Sequence, residues 1–216
     1  MKQLILYDLD GTLVDTLADL TAAANHMLSA LAAPTLSPDE VRQHVGSGVQ
    51  ELVARCLKTG DPQRVARGVE LYRAYYGRHL LDHSQLYPGA HAILEHFKQR
   101  RQGVVTNKPQ SYSQEILEAL GVSTYLRDLV AGDAGYPKKP DPSAVRALMQ
   151  REGVAAADAV FIGDSPIDVE TGRNAGIATV AVLHGFTGET QLRAAAPDVV
   201  VRDFSALLAV ARQRAW

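Results

Sequence analysis

The spacing of apolar residues differs between the first strand of this chain and the segment that follows it. A short apolar run over residues 4–7 ends in polar residues and a glycine, which is typical of a buried strand in a parallel sheet. After residue 16, apolar positions recur every three or four residues, and this spacing predicts an amphipathic helix. The positions that define this stripe are Leu17, Leu20, Ala24, Met27, Leu28 and Leu31. We expect helices to dominate from there to residue 86.

Residues with helix-capping chemistry mark where several helices begin and end. The sequence Ser-Pro-Asp-Glu at 37–40 predicts a helix N-terminus, with Ser37 as the cap and Glu40 closing a capping box. Asp61 followed by proline predicts the start of another helix for the same reason. Glycines follow three later helical stretches, where we expect left-handed C-terminal caps: Gly121, Gly153 and Gly176.

Beyond the Tyr-Pro-Gly sequence at 87–89, the chain alternates between strand and helix patterns. Such alternation is typical of a parallel sheet with crossover helices, so we predict an α/β fold with a Rossmann-like core. The later strands are predicted at residues 103–106, 129–131, 159–163, 177–182 and 198–201. We expect two domains: an α/β core of residues 1–15 and 87–216, and a small all-helical domain of residues 16–86 inserted after the first strand.

Composition and charge restrict the class of partner. The 216 residues include 22 Lys and Arg against 24 Asp and Glu. The chain therefore has no excess of positive charge of the kind that binds nucleic acid. Because the chain has no apolar run of about 18 residues and no signal-peptide pattern, we expect a cytoplasmic protein without a membrane partner. Its one cysteine, Cys56, lies in a helical pattern and is expected to be buried. A small molecule is the expected partner, and the pattern is compatible with a monomer or a homodimer.

Polar clusters follow the predicted strands. Asp8 and Asp10 come directly after the first strand, and their side chains point the same way because strand side chains alternate in direction. The later clusters are Thr106-Asn107-Lys108-Pro109, Lys138-Lys139-Pro140-Asp141-Pro142 and Gly163-Asp164-Ser165-Pro166-Ile167-Asp168. A solvated turn is the alternative for the first pair taken alone. Four such clusters favour a binding site, because open α/β sheets bind ligands at the carboxyl ends of their strands.

In this order, the sequences DLDGT, TNK, KPDP and GDSPID resemble the signature motifs of the haloacid dehalogenase superfamily. The resemblance covers residues 4–176. Residues 41–48, together with Val-Thr-Asn-Lys-Pro at 105–109, resemble the phosphoglycolate phosphatase branch most closely. The resemblance implies a phosphatase whose helical insertion is a small cap domain over the active site, and a reaction through a covalent aspartyl-phosphate.

The same resemblance implies which residues hold the metal. Asp8 is the expected nucleophile, and its other oxygen, the backbone carbonyl of Asp10 and the carboxylate of Asp164 are the expected Mg²⁺ ligands. Asp168 binds the metal directly or through water. A cation is also required on physical grounds, because a carboxylate approaching a phosphate dianion meets roughly 8 kcal/mol of repulsion at an effective dielectric near 20. The two positive charges of Mg²⁺ and the one of a lysine would balance the three negative charges of the carboxylates.

Two residues of the first cluster have further expected roles. Asp10 would give the leaving alkoxide a proton and later take one from the attacking water. Gly11 has no side chain, which lets the backbone turn sharply and approach the phosphate closely.

The second and third clusters supply donors to the phosphoryl group. Thr106 and Asn107 offer a hydroxyl and an amide, and a lysine supplies fixed positive charge. We assign that lysine to Lys139, because the pattern Lys-Pro-any-Pro begins there, and we expect Lys138 to be a solvated loop charge. If the register of the loop differs, Lys138 takes the role.

Substrate selection is expected in the helical insertion. Arg42, His44 and Ser47 are the candidates to contact the organic part of the substrate. A simple helix-to-helix turn is an equal alternative for Gly46-Ser47-Gly48.

The sequence therefore predicts a Mg²⁺-dependent phosphatase of a small phosphomonoester, with 2-phosphoglycolate as the first candidate. The open alternatives are a phosphatase of a sugar phosphate, pyrophosphate or N-acetylmuramate 6-phosphate, a phosphomutase of the β-phosphoglucomutase type, and a non-catalytic phosphate-binding protein. Dehalogenation is disfavoured because a leaving halide needs no proton from Asp10. A phosphoaspartate receiver is disfavoured because receivers carry the phosphorylated aspartate on a later strand.

Overall fold

A computed structural model describes all 216 residues of the chain. It contains eight strands and ten α-helices. The strands are β1 (Leu4–Tyr7), β2 (Val14–Asp15), β3 (Gln85–Leu86), β4 (Arg101–Val105), β5 (Asp128–Val130), β6 (Ala159–Gly163), β7 (Ala178–Val182) and β8 (Val199–Val201). The helices are α1 (Leu17–Ala30), α2 (Pro38–Arg42), α3 (Val49–Leu57), α4 (Pro62–Tyr76), α5 (Ala90–His96), α6 (Gln110–Ala119), α7 (Ser143–Glu152), α8 (Pro166–Ala175), α9 (Glu189–Ala194) and α10 (Phe204–Gln213).

Six of the strands form one parallel sheet in the order β5-β4-β1-β6-β7-β8. β1 lies in the middle, where Leu6 pairs with Gly103 of β4 and with Phe161 of β6. Every residue of β1 is fully buried, which explains why the strand reads as an unbroken apolar run. The predicted α/β fold is confirmed, and each predicted later strand is found within two residues of its expected bounds.

Four helices, α1 to α4, lie between β2 and β3 and make up the helical segment, residues 16–86. β2 and β3 pair antiparallel, with Val14 opposite Leu86, so the chain enters and leaves the helical segment side by side. α1 and α3 both pack against α4. The predicted caps are present: Ser37 forms a capping box with Glu40 at the start of α2, and Asp61 accepts a hydrogen bond at the start of α4.

Apolar side chains cover both faces of the sheet. Ile5 and Tyr7 point to one face and join a large core that also includes apolar residues of the helical segment. Leu4 and Leu6 point to the other face and pack with Phe161. This alternation follows from the two-residue repeat of a strand. No helix of the protein combines the length and the apolar character that crossing a membrane would require.

Glycine ends helices where the sequence predicted it. Gly121, Gly153 and Gly176 have φ angles of 70°, 63° and 79°, in the left-handed region that glycine adopts without a steric cost. Cys56 is buried and free, so the expectation that it is buried is confirmed, and burial raises the pKa of its thiol to about 11.

Candidate active site

Four loops converge at the carboxyl edge of the sheet. Asp8 follows β1, Thr106 follows β4 and Asp164 follows β6, while Lys139 lies in the loop between β5 and α7. These strands are parallel neighbours, so their carboxyl ends meet at one edge. All four side chains are buried. The convergence that the sequence predicted is therefore present in the structure.

Lys139 connects two of the carboxylates. Its Nζ lies 2.8 Å from Oδ1 of Asp8 and 2.7 Å from Oδ1 of Asp168. Lys138 is exposed to solvent, whereas the side chain of Lys139 is 3% exposed. Of the two adjacent lysines, the structure thus brings Lys139 to the aspartates, as the proline spacing indicated.

The carboxylates of Asp8, Asp164 and Asp168 form a compact group. Each offers an oxygen that lies within 4.8 Å of an oxygen of the other two. Together with Lys139, these buried groups carry a formal excess of two negative charges. An all-oxygen donor set with this charge fits a divalent cation such as Mg²⁺.

Hydrogen bonds hold two of these carboxylates in place. Asp164 accepts from Oγ1 of Thr12 at 2.8 Å and from the backbone N–H of Phe186 at 2.8 Å. Asp168 accepts from both the backbone N–H and the hydroxyl of Ser165, as part of the capping box that begins α8. The capping contact occupies Oδ2 of Asp168 and leaves Oδ1 to Lys139.

The electrostatics of the group show a shortage of positive charge. Burial raises the pKa of Asp8 to about 6, against the opposing charge of Lys139. Burial, with the charges of Asp168 and Asp8, raises the pKa of Asp164 well above its usual range. Burial opposes the charged form of Lys139, but Asp168 and Asp8 outweigh it, so the pKa of this lysine is raised. Bringing a cation to the site would relieve the repulsion among the carboxylates.

Asp10 directs its carboxylate away from this group. Oδ1 accepts hydrogen bonds from Oγ1 of Thr16 at 2.7 Å and from Nζ of Lys108 at 2.9 Å. The side chain of Lys108 is 4% exposed and is the second buried lysine of the site. Sequence reasoning gave Lys108 no role, although a cation two positions after Thr106 at the ligand-binding edge of the sheet was a signal that could have found it.

Gly11 occupies a position that a side chain could not share. Its φ is 83°, and a Cβ there would lie 2.4 Å from Oδ2 of Asp164. The expected sharp turn is present, and it lets the loop after β1 pack directly against Asp164. The close approach of Gly11 to a phosphate remains a prediction.

The side chain of Asn107 is used differently from the expectation. Its amide nitrogen donates to the backbone carbonyls of Gly46 at 2.9 Å and Lys139 at 3.1 Å, and its Oδ1 accepts from the N–H of Lys139 at 2.9 Å. Both amide hydrogens are therefore engaged within the protein, and binding of a phosphoryl group by Asn107 stays a prediction. Asn107 fixes the loop that carries Lys139 and contacts the helical segment. Oγ1 of Thr106 accepts a hydrogen bond from the backbone N–H of Lys108 at 3.3 Å, and Thr106 lines the cavity beside Asp8.

Comparison with known proteins agrees with this geometry. Residues 5–182 match the sequence profile of the haloacid dehalogenase-like hydrolases. The chain belongs to this family. Among its relatives are phosphoglycolate phosphatases of Vibrio parahaemolyticus, 36% identical over 96% of this chain and 95% of the relative, and of Rhodospirillum rubrum, 38% identical over 88% and 83%. A crystal structure of a predicted phosphoglycolate phosphatase from Haemophilus somnus superposes with a TM-score of 0.91, at 29% identity and 97% coverage of both chains.

Two cavities of this haloacid dehalogenase-like hydrolase meet at Asp8 and Asp10. The larger has a volume of about 790 Å³, and Arg42 and Ser47 line it. The smaller, of about 60 Å³, lies between the helical segment and the loop after β4.

The structure thus brings Arg42 and Ser47 to the site, but His44 lines neither cavity. Contact between His44 and the organic part of the substrate stays a prediction.

Proposed function

We propose that this haloacid dehalogenase-like hydrolase is a Mg²⁺-dependent phosphoric monoester hydrolase, and that its first substrate is 2-phosphoglycolate. The observation that carries the proposal is the group of three buried carboxylates with one buried lysine, at the edge of the sheet where a ligand would enter. The names of the relatives support the substrate.

The side chains of Asp8, Asp164 and Asp168 and the backbone carbonyl of Asp10 would hold the metal. When bound, Mg²⁺ supplies positive charge that offsets the repulsion between the carboxylates and the phosphoryl group. Lys139 would add a fixed positive charge next to the nucleophile, because its Nζ lies between the carboxylates of Asp8 and Asp168.

Asp8 is the proposed nucleophile. Oδ1 of Asp8 accepts a hydrogen bond from the backbone N–H of Leu9 at 2.7 Å and pairs with Lys139, whereas Oδ2 makes no hydrogen bond to the protein. Oδ2 attacks phosphorus, the bond from phosphorus to the leaving oxygen breaks, and an aspartyl-phosphate forms. Thr106 and Lys139 would stabilise the charge on the phosphoryl oxygens.

Asp10 is the proposed proton carrier. It gives a proton to the leaving alkoxide and takes one from the water that attacks the phosphorus of the aspartyl-phosphate, which releases inorganic phosphate and restores Asp8. Because the carboxylate of Asp10 lies outside the metal-binding group and lines both cavities, it can face a leaving group in either.

We also propose that residues 16–86 form a cap domain on an α/β core of residues 1–15 and 87–216. The paired β2 and β3 form the connection between them. Small-angle scattering with and without a metal-fluoride mimic of the transition state tests cap movement: a more compact particle supports it, and identical curves contradict it.

A panel of phosphomonoesters, ranked by kcat/KM in Mg²⁺, tests the substrate. We expect 2-phosphoglycolate to rank first, ahead of hexose phosphates, N-acetylmuramate 6-phosphate and pyrophosphate. A clear preference for a hexose phosphate contradicts this assignment. Absence of metal-dependent turnover of every ester, p-nitrophenyl phosphate included, supports a non-catalytic phosphate-binding protein instead.

Removal of divalent metal should lower kcat at least about 10³-fold, because charge stabilisation worth several kcal/mol is lost. Mg²⁺ should also raise the melting temperature, since a ligand that binds only the folded state at 100 times its Kd stabilises it by about 2.7 kcal/mol. Turnover in EDTA followed by addition of Mg²⁺ measures the first effect, and calorimetry measures the second.

The Asp164→Asn variant is the matched test of the metal site. Its melting temperature should respond little to Mg²⁺, while Asp61→Asn, at an exposed position at the start of α4 outside both cavities, should respond as the wild type does. Full activity in EDTA, or an unchanged Mg²⁺ response in Asp164→Asn, contradicts the proposed metal site.

A further inference from the structure

The side chain of Asn107 bonds to two different parts of the protein at once. Its amide nitrogen donates to the backbone carbonyl of Lys139 at 3.1 Å, and its Oδ1 accepts from the backbone N–H of Lys139 at 2.9 Å. The other amide hydrogen goes to the carbonyl of Gly46, in the helical segment, at 2.9 Å. These partners fix the orientation of the amide, because the opposite orientation would set its oxygen against two carbonyl oxygens.

The bonds between Asn107 and Lys139 hold the backbone of the lysine on both sides. Asn107 is 6% exposed and Lys139 is 7% exposed, and burial strengthens hydrogen bonds of this kind. The backbone of Lys139 in turn determines where its Nζ lies, 2.8 Å from Asp8 and 2.7 Å from Asp168. Displacement of a catalytic group by about 1 Å can lower a rate about 100-fold. The amide of Asn107 is therefore well placed to affect catalysis through Lys139.

Gly46 presents its carbonyl to Asn107 from the connection between α2 and α3. Its φ is 117°, a backbone conformation that favours glycine. A Cβ at this position would lie 3.5 Å from Cδ1 of Ile167, which is an ordinary contact. In a Gly46→Ala variant, backbone strain and not lack of space would therefore displace the carbonyl. One hydrogen of the buried Asn107 amide would then lose its partner, which costs free energy.

We propose that Asn107 is a positioning residue that couples docking of the helical segment to the placement of Lys139. The coupling rests on the proposed phosphatase function, in which Lys139 supplies charge beside the phosphoryl group. With the segment docked, the carbonyl of Gly46 and the peptide of Lys139 together fix the amide of Asn107. When the segment moves away, the amide loses one partner and holds Lys139 less firmly. Because coupling is reciprocal, an ordered Lys139 also favours the docked segment.

Hydrogen exchange at the backbone amide of Lys139, followed by NMR, tests the coupling without substrate or metal. This N–H donates to Oδ1 of Asn107, whereas Gly46 accepts from the nitrogen of the same side chain. In Gly46→Ala, the exchange should be about 3-fold to 10-fold faster, as expected when one hydrogen bond no longer opposes local opening.

Gly121→Ala is the matched control for the exchange measurement. Gly121 also has a positive φ, of 70°, and a Cβ there would meet nothing within 4 Å. This variant has the cost of alanine in a left-handed conformation but leaves the contact between Gly46 and Asn107 intact. Its exchange at Lys139 should stay within about twofold of the wild type.

A double-mutant cycle in kcat separates positioning from direct contact with the substrate. With Mg²⁺ and the phosphomonoester that the wild type hydrolyses best, Asn107→Ala should lower kcat about 10-fold to 100-fold. In Lys139→Met the lysine charge is already absent, so the same substitution should lower kcat less than about threefold further. The predicted contact between Asn107 and the phosphoryl group would instead persist without the lysine and give equal factors in both backgrounds.

Asn25→Ala is the matched control for loss of the amide. Asn25 makes the same pair of bonds to one residue, with its nitrogen 2.9 Å from the carbonyl of Leu36 and its Oδ1 2.8 Å from the N–H of Leu36. It lies within the helical segment and lines neither cavity, so its kcat should stay within about twofold of the wild type. If Asn107→Ala does not fold, Gly46→Ala replaces it in the cycle, and its loss of kcat should likewise shrink to less than about threefold in Lys139→Met.

Three results would overturn the coupling: unchanged exchange at Lys139 in Gly46→Ala, unchanged kcat in Asn107→Ala, or an equal loss of kcat from Asn107→Ala with and without Lys139. Failure of the proposed function looks different. In that case the wild type hydrolyses no phosphomonoester in the presence of Mg²⁺, and the role of Asn107 in placing a catalytic charge is overturned with it.

Discussion

The Asp8→Asn variant should lose kcat by at least about 10⁴-fold, the largest effect expected of any single substitution in this chain. An amide oxygen carries no negative charge and cannot displace an alkoxide from phosphorus. The substitution keeps the size and shape of the side chain, and the contact from the Leu9 N–H can persist because the amide oxygen accepts it. The loss should therefore reflect chemistry and not unfolding, which steady-state kinetics and thermal unfolding on the same preparation can separate.

Asp61→Asn is a suitable control for this substitution. Asp61 caps α4 at the surface, far along the chain from the site, and asparagine is an equally good cap. Its activity should match that of the wild type. Near-normal turnover by Asp8→Asn would contradict the assignment of Asp8 as the nucleophile.

The Lys139→Met variant should have the second largest effect. Nζ of Lys139 lies between Asp8 and Asp168, and methionine fills most of the same volume without the charge. Loss of a fixed charge beside the phosphoryl group should lower kcat about 10³-fold. Two buried carboxylates would also lose their partner, so the free energy of unfolding should fall by about 3 kcal/mol in the absence of metal. Kinetics in Mg²⁺ and urea unfolding in EDTA measure the two effects.

Lys138→Met separates the effect of Lys139 from a general effect on the loop. Lys138 is exposed and precedes Lys139 directly, so its loss should change kcat less than about twofold. If instead Lys138→Met is inactive and Lys139→Met retains activity, Lys138 and not Lys139 provides the charge beside the phosphoryl group, and the assignment of Lys139 is wrong.

The sheet, and the residues that lie together at its carboxyl edge, could be predicted from the sequence. β1 is buried on both faces, so its apolar run carries an unambiguous signal, and the polar residues after β1, β4 and β6 must then share one edge. The choice of Lys139 over Lys138 also followed from sequence, because the two prolines after Lys139 set the register of the loop.

Other roles depend on packing that no local pattern encodes. Asn107 has the right chemistry to bind a phosphoryl group, but the loop of Lys139 and the carbonyl of Gly46 use its amide first. Lys108 meets Asp10, 98 positions away in sequence, because β1 and β4 are neighbours in the sheet. It meets Tyr76, 32 positions away, because the helical segment folds back over the loop after β4.

Direct detection of phosphorylated Asp8 tests the central claim most directly. Wild-type protein and the slow Asp10→Asn variant are mixed with 2-phosphoglycolate and Mg²⁺, quenched in acid during turnover, digested and analysed by mass spectrometry. The account predicts one added phosphoryl group on the peptide that contains Asp8, more abundant in Asp10→Asn, where release by water is slowed, and absent from Asp8→Asn. Turnover with no phosphorylated peptide in Asp10→Asn, or with the phosphoryl group on another residue, would contradict it.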